Sequence, residues 1–361
     1  MVSAQLIINH FQSFIIYLTL RFKFRNMKLK ERISAFATLG NELGGFNDSK
    51  LLDIINCQHL KNAWFTPENV RFAISSIAES LTEESIEKWL SKYPELSKAN
   101  DPKTIAVIMA GNIPLVGFHD FICTLITGNR IIAKISSKDS ELIIYMAKML
   151  CEINNGFDTL INFTKNSLSG FDAVIATGSN NTSRYFEYYF GKYPNIIRKN
   201  RNSIAVIDGN ESEHELKELG RDVFSYFGLG CRNVSKIFIP TGYELSNFTD
   251  NWNSYDYVIN NNKYANNYDF YKAVYLVNKD KFTDAGYLLL KEEKAISSPV
   301  SVLHYEYYNT KSDLKTNIET HKNNIQCIVS KNDIPFGKSQ NPFLWDYSDG
   351  IDTIDFLLYI I

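Results

Sequence analysis

A cysteine placed close after two glycines is the first candidate for chemistry in this chain of 361 residues. The stretch YFGLGCRN, residues 226–233, places Cys231 after Gly228 and Gly230 and before an apolar run. Glycine permits unusual backbone angles and close approach of a ligand. A cysteine thiolate attacks carbonyl carbons, and the cysteine's own backbone N–H can stabilise the resulting oxyanion. A buried cysteine in a helix–strand turn is the alternative, and the spacing alone leaves both open.

The segment AGNIPLVG, residues 110–117, offers a second group that can act on a carbonyl. It follows the apolar run TIAVIMA, which predicts a buried strand. Ligands of open α/β sheets bind at the carboxyl ends of the strands, which is where Asn112 would lie. Its side-chain amide can donate a hydrogen bond to a polarised carbonyl oxygen. In the alternative interpretation, Gly111, Asn112 and Pro114 only shape a strand–turn–helix connection.

Two polar residues follow the next predicted strand, in the segment AKISSKDS. Lys134 is a single cation at the end of an apolar run, and Ser136 comes two residues later. A cation beside a hydroxyl suits contact with the ribose or phosphate of a nucleotide. A solvated lysine at a strand end is an equally good interpretation of the pattern.

A third segment, ATGSNNTSR, joins a predicted strand end to a helix start. The backbone N–H groups after Gly178 and Ser179, together with the helix dipole, can bind an anion such as a pyrophosphate. The pattern matches neither a GxGxxG fingerprint nor a Walker loop, so it is weak as a phosphate motif. The alternative is a capped helix with Ser179 or Asn180 as the cap.

The elements around these segments alternate between strands and helices, which predicts βαβ units and a parallel sheet. We predict a cofactor-binding domain over 27–200, a catalytic domain over 201–333, and a segment over 334–361 that packs back on the fold or forms a dimer interface. Residues 250–275 are rich in Asn and Tyr, which we interpret as composition bias. The predicted strands are 104–110, 130–135, 172–178, 203–209, 235–240, 272–278, 301–308 and 325–330. The predicted helices are 82–93, 114–127, 139–152, 180–190 and 211–227.

Composition limits the possible partners and compartments. The net charge of -2 gives no electrostatic reason to expect a nucleic acid. Five widely spaced cysteines without a CxxC pair indicate free thiols in a reducing cytoplasm and no metal site. Residues 1–26 include an interrupted apolar stretch that is too short to span a bilayer. We expect them to be a mis-called start or a mobile extension, and we expect no firm membrane association.

Taken in order, these segments resemble the aldehyde dehydrogenase superfamily. GNIP resembles its N-x-P oxyanion loop, AKISS its K-P-S cofactor segment, ATGS its F-T-G-S turn, and Cys231 falls at the place of its nucleophile. The sequences FGLGCRNVSKIFIP and PFGKSQNPFLWDYSDG are similar to the acyl-CoA reductase family of the type found in bacterial bioluminescence. The resemblance runs from about residue 27 to residue 361.

This resemblance implies an α/β fold with a Rossmann-type cofactor domain and a second α/β catalytic domain. It also implies NADPH-dependent reduction of a long-chain acyl-CoA to an aldehyde, with NADH possible and coenzyme A as leaving group. Cys231 would be the nucleophile and Asn112 an oxyanion donor. Lys134, Ser136, Gly178 and Ser179 would bind the cofactor.

One departure from the superfamily bears on the reaction. Hydrolytic aldehyde dehydrogenases have a glutamate base in an E-L-G-G-K segment, whereas the corresponding stretch here, IRKNRNS at 197–203, has no carboxylate. Hydrolysis of a thioester needs activated water, so exchange with a thiol is favoured instead. An acyltransferase that uses the same acyl-cysteine, and a non-catalytic subunit, remain alternatives. A homodimer, or a complex with an acyl-activating or acyl-transferring protein, is expected.

Overall fold

The computed structural model describes residues 27–98 and 101–360. The helices are α1 (Leu29–Gly45), α2 (Ser49–Lys61), α3 (Pro67–Ser80), α4 (Glu83–Leu90), α5 (Phe118–Ile126), α6 (Glu141–Ile153), α7 (Asn180–Phe190), α8 (Glu213–Phe224), α9 (Ser246–Asn251), α10 (Asn262–Asn278), α11 (Lys311–His321) and α12 (Thr353–Leu358). The strands are β1 (Thr104–Ile108), β2 (Arg130–Lys134), β3 (Ile161–Thr164), β4 (Ala173–Thr177), β5 (Asn195–Arg198), β6 (Asn202–Val206), β7 (Val234–Pro240), β8 (Thr283–Asp284), β9 (Leu289–Glu292), β10 (Val302–Tyr308) and β11 (Ile325–Val329).

The first sheet contains five parallel strands in the order β3-β2-β1-β4-β5. Its central strands are buried on both faces, which explains why β1 and β4 read as continuous apolar runs. The chain proceeds from β1 outward to β3 and then returns to the other side of β1 with β4. This reversal makes the carboxyl ends of β1 and β4 the topological switch point, where doubly wound folds bind ligands.

The second sheet contains six strands in the order β11-β6-β7-β10-β9-β8. All its neighbours are parallel except the short antiparallel pair β8 and β9. The chain passes from the first sheet to the second between Arg198 and Asn202. Each sheet packs against its own core. The edge strand β5 of the first sheet is joined by only three residues to β6, which lies between β11 and β7 in the second sheet.

The carboxyl-terminal segment returns to the first core. Ile354 and Leu357 of α12 are buried there, and α12 contacts α5. Tyr93 donates a hydrogen bond to Asp352 at 2.6 Å, and the indole of Trp89 donates to the hydroxyl of Tyr347 at 2.7 Å. These bonds fix the segment that precedes α12.

The structure corrects several predicted elements. Residues 272–278, predicted as a strand, form the end of helix α10, which begins at an Asn261 side-chain cap. Strands β3, β5, β8 and β9 were not predicted. The helix predicted over 211–227 ends at Phe224, because Tyr226 and Phe227 have φ angles of 52° and 57°. The prediction about residues 1–26 lies outside the described residues.

Within the described ranges 27–98 and 101–360, no helix combines the length and the apolar character needed to cross a bilayer.

Candidate active site

Cys231 lies in a tight turn between helix α8 and strand β7. Tyr226, Phe227 and Gly228 all have positive φ, which reverses the chain after the helix ends. The backbone N–H of Asn233 then donates to the carbonyl of Gly230 at 3.0 Å. Cys231 is therefore one of the two central residues of a closed turn, half-buried at the surface of the fold. The alternative expectation, a buried cysteine in a helix–strand turn, is correct for the turn, and the residue itself is half-buried.

The loop after β1 brings Asn112 against this turn. The Asn112 amide donates a hydrogen bond to the carbonyl of Leu229 at 2.9 Å, across 117 positions of sequence. A side-chain carbon on Gly230 would lie only 3.4 Å from Ile113, so glycine lets the two loops approach. An amide nitrogen carries two hydrogens, and one of them remains for a ligand. The two residues predicted to be catalytic thus lie on contacting loops from different sheets.

The environment of Cys231 opposes ionisation of the resting thiol. Burial raises its pKa to about 11, and nearby Cys327 and Asp349 raise it too. The Arg232 guanidinium and the backbone N–H of Cys231 itself act in the opposite direction. The site at rest therefore holds a thiol, and those two positive groups favour the thiolate that nucleophilic attack requires.

The backbone N–H of Cys231 lies beside the sulfur of the same residue. Among the backbone hydrogen bonds of the described residues, this N–H donates to no carbonyl, and it acts on the adjacent sulfur. An oxyanion hole needs donors aimed at the position where negative charge develops next to the nucleophile. The turn thus presents a thiol and a backbone donor together, beside the amide of Asn112.

The four residues predicted to bind a cofactor lie at the carboxyl edge of the first sheet. Lys134 ends β2, is half-buried, and has no ion pair within the part of the chain described. Ser136 packs directly against Gly111, in the loop that precedes Asn112. Its hydroxyl accepts a hydrogen bond from the Lys138 backbone at 3.2 Å. A free cation and a hydroxyl thus lie next to the topological switch point.

Gly178 and Ser179 lie at the switch point itself, between β4 and α7. A side-chain carbon on Gly178 would lie 2.9 Å from the Phe186 ring, so glycine allows α7 to pack closely on the strand. The Ser179 hydroxyl accepts the Thr182 N–H at 3.3 Å and is the helix cap. The capped-helix interpretation is therefore correct for its side chain. The cap takes up the Thr182 N–H, and N–H groups at the start of a helix are the kind of donor that binds an anion.

The buried carboxyl of Asp139 links the two loops at this edge, and no local sequence pattern indicated its role. Asp139 is 5% exposed and accepts the N–H of Leu115 at 2.6 Å. Leu115 has a φ of 59°, so the Asp139 carboxyl holds the loop of Asn112 in a strained turn. Burial raises the pKa of Asp139 to about 7.

A cavity of about 660 Å³ reaches Arg232, the residue that follows Cys231. Arg232 lines it and is anchored by donating from Nε to the Ser339 carbonyl at 2.6 Å. Much of the remaining wall is apolar and comes from the carboxyl-terminal segment, namely Ile334, Pro335, Pro342, Phe343, Leu344 and Trp345. Sequence reasoning assigned no role to this wall, because its approach to Cys231 depends on the tertiary fold.

The stretch that lacks the hydrolytic base contributes a buried cation instead. Arg198, which ends β5, forms an ion pair with Asp120 of α5 at 2.8 Å, with both side chains less than 10% exposed. Arg198 also donates to the Thr353 hydroxyl at 2.8 Å and to the Ser348 carbonyl at 2.7 Å. This residue is thus committed to fixing the carboxyl-terminal segment and is not available to activate water.

Metal chemistry receives no support from residues 27–98 and 101–360, where no three His, Cys, Asp or Glu side chains converge as ligands.

The fold is that of the aldehyde dehydrogenases. A Mycobacterium tuberculosis aldehyde dehydrogenase complexed with NAD+ matches with a TM-score of 0.62 and 13% identity, over 85% of this chain and 74% of that chain. Aldehyde dehydrogenase 21 from Physcomitrella patens, in complex with the reaction product succinate, matches with a TM-score of 0.60 and 14% identity, over 84% and 74%. An NAD+ complex of aldehyde dehydrogenase from Bacillus cereus matches with a TM-score of 0.57 and 13% identity, over 85% and 72%. The predicted fold is confirmed.

The family is shown by the sequence itself. The family model described as acyl-CoA reductase (LuxC) matches residues 55–250, more than half of the chain. The protein therefore belongs to the acyl-CoA reductase (LuxC) family, and the predicted resemblance is confirmed. Family and fold together support an oxidoreductase that acts on an aldehyde or acyl group. No curated protein sequence matches the chain.

Proposed function

We propose that this protein reduces a long-chain acyl-CoA to the aldehyde with NADPH, through an acyl group carried on Cys231. The observation that carries the proposal is the contact between the two loops. A half-buried cysteine, its own backbone N–H and the Asn112 amide lie on two contacting loops in a chain of the acyl-CoA reductase family.

The first half-reaction forms the acyl-enzyme. The Cys231 thiolate attacks the thioester carbonyl, and the N–H of Cys231 and the amide of Asn112 stabilise the oxyanion. One such donor contributes ~2.7–4 kcal/mol to lowering a barrier of this kind. The bond to the coenzyme A sulfur then breaks, coenzyme A leaves with its electron pair and takes up a proton, and the acyl group remains on Cys231.

The second half-reaction needs a hydride, which a reduced nicotinamide supplies when it is bound. Lys134 and Ser136 would contact the adenosine ribose or its phosphate, and the backbone after Gly178 and Ser179 would contact the pyrophosphate. The free cation and the open helix start at the switch point fit this group. NAD+ in two of the similar structures supports a nicotinamide nucleotide. The unpaired Lys134 favours the additional phosphate of NADPH.

The same donors then serve the release of product. Asn112 and the N–H of Cys231 stabilise the oxyanion that forms when the acyl carbon is reduced. Collapse of that intermediate breaks the bond between carbon and the Cys231 sulfur, so that the aldehyde leaves and the thiolate reforms. Hydrolysis of the acyl-enzyme is disfavoured because the stretch at 197–203 has no carboxylate to activate water. Arg198 in this stretch is instead paired with Asp120.

The acyl chain would lie in the cavity beside Arg232. Apolar side chains form much of its wall, which suits a hydrocarbon chain, and Arg232, the residue after Cys231, also lines it. Removal of apolar surface from water favours longer chains by ~0.8 kcal/mol for each buried methylene. This wall is the basis for proposing a long-chain substrate.

The test is substrate-dependent oxidation of NADPH, measured with a series of acyl-CoA chain lengths and repeated with NADH. We expect oxidation that requires acyl-CoA, an aldehyde that a hydrazine reagent traps in equal amount, and a preference for long chains. Acyl exchange between thiols without NADPH oxidation would identify an acyltransferase instead. Failure to bind either nucleotide would identify a non-catalytic subunit, and both results would overturn the proposal.

A further inference from the structure

The turn that presents Cys231 is held together by one buried side chain. Asn233 is 1% exposed, and its Oδ1 accepts the backbone N–H of Gly230 at 2.8 Å. Its Nδ2 donates to the carbonyl of Asp222 at 3.0 Å and to that of Ser225 at 2.8 Å. Asn233 therefore ties both ends of the turn to the end of helix α8.

Only an asparagine meets all these requirements at this position. The carbonyls of Asp222 and Ser225 lie where a helix ends and lacks intrahelical donors, so they need a donor from elsewhere. An aspartate would accept from Gly230 but has no hydrogen to donate. A side-chain carbon on Gly230 would lie 2.9 Å from the Asn233 oxygen, so the close contact between the two residues also requires glycine at position 230.

The approach to the turn is strained, which makes this anchoring necessary. Tyr226 and Phe227 both adopt the left-handed conformation that non-glycine residues rarely occupy. From the other side, the Asn69 side chain of α3 accepts the N–H of Tyr226 at 3.3 Å. Such conformations persist only where surrounding contacts hold them. The position of Cys231 thus depends on hydrogen bonds from Asn233 and Asn69, neither of which is next to it in the sequence.

We propose that Asn233 is a positioning residue, which holds Cys231 so that its thiol and backbone N–H face the loop of Asn112. The inference rests on the proposed function, because it takes Cys231 to be the nucleophile. Without the Asn233 side chain, the N–H of Gly230 and two carbonyls lose their partners, and the turn opens toward water. The thiol is then more accessible to small reagents but less well placed for acyl transfer.

The first of these two effects, the greater accessibility of the thiol, can be measured without the acyl substrate. Alkylation of Cys231 by iodoacetamide, followed by peptide mass spectrometry from pH 7 to 10, reports the thiolate. The exposed Cys57 serves as a standard in the same chain. In the wild type we expect the rate at Cys231 still to rise at pH 10, because burial places its pKa near 11. Arg232, Cys327 and Asp349 also act on this thiol, and none of them is altered.

The variant Asn233→Ala should move the midpoint of the alkylation profile down by more than one pH unit, toward the ordinary thiol value of about 8.5. Its rate at pH 8 should rise about tenfold, while acylation by acyl-CoA in a single turnover should fall at least tenfold. The matched control is Asn129→Ala, since Asn129 is also buried, at 4% exposure, and lies at the start of β2. This control should leave the Cys231 profile unchanged.

The inference is overturned if both variants lower the melting temperature alike and leave the Cys231 profile where it was. Asn233→Ser introduces no charge and carries the same measurement if Asn233→Ala does not fold, with a shift in the same direction expected. A wild-type protein that shows no acyl adduct would contradict the proposed function and still leave the alkylation result informative.

Discussion

Replacing Asn112 separates its role in catalysis from its role in holding the loop. The Nδ2 atom has two hydrogens, and one of them is donated to the Leu229 carbonyl at 2.9 Å. Loss of that single bond from an exposed side chain should cost the fold about 0.5–1.5 kcal/mol. Loss of the other hydrogen removes an oxyanion donor and should raise the barrier by ~2.7–4 kcal/mol, or about 10²–10³-fold in kcat. The kinetic loss should therefore far exceed the loss of stability.

The assay is a single turnover of excess enzyme with long-chain acyl-CoA, followed by release of the coenzyme A thiol. Asn112→Ala should slow release about 10²–10³-fold, and Asn112→Asp should slow it further, because a carboxylate repels the developing oxyanion. The matched control is Asn267→Ala, which removes a half-buried amide that donates to a carbonyl at 2.7 Å on α10. A loss below threefold in Asn112→Ala, or one equal to that of Asn267→Ala, would refute the reasoning.

Three further predictions concern stability, pH and the cofactor. Asp120→Ala leaves its buried arginine partner unpaired and should lower the free energy of unfolding by about 3–5 kcal/mol in denaturant titrations. Removal of the exposed ion pair by Glu187→Ala should cost less than about 1 kcal/mol, and equal losses would contradict this account. Burial raises the pKa of Asp139 to about 7 from 3.8, so its contribution to stability is complete below pH 3.8 and is lost as the pH rises through 7. Relative to Asp139→Asn, the wild type should lose roughly 2–3 kcal/mol of unfolding free energy between pH 5 and pH 8. If the two proteins instead show the same dependence of unfolding free energy on pH, Asp139 does not have a raised pKa. Lys134→Gln should raise the Kd for NADPH about tenfold and the Kd for NADH less, as fluorescence titration would show; equal changes would remove Lys134 from phosphate recognition.

Local patterns predicted most of the strands at the centre of each sheet. The runs that became β1, β4 and β6 are continuously apolar because both their faces are covered. The run at 272–278 has the same local appearance but belongs to α10. There the side chains of Tyr264, Tyr268 and Tyr275 are buried on one face of a helix. The helical spacing of these residues over 262–278 therefore decides the structure, although residues 272–278 alone are typical of a strand.

The candidate site was less accessible from the sequence, because its parts come from distant regions. Asn112 and the turn of Cys231 are more than 100 positions apart, and only the family resemblance indicated that they meet. Asn233 is part of the motif YFGLGCRN, but its role depends on where helix α8 ends and leaves carbonyls without intrahelical donors. The apolar wall at 342–345 reaches the cavity only because Arg198 and Asp352 fix the segment that follows it.

The central claim is that the acyl group is carried on the sulfur of Cys231, and intact-mass measurement tests it most directly. After incubation with a long-chain acyl-CoA in the absence of NADPH, we expect one acyl adduct that maps to Cys231 and disappears when NADPH is added. Cys327→Ala removes a neighbouring half-buried thiol and should retain the adduct. An adduct that survives in Cys231→Ala, or a wild-type protein that never gains the acyl mass, would contradict the account.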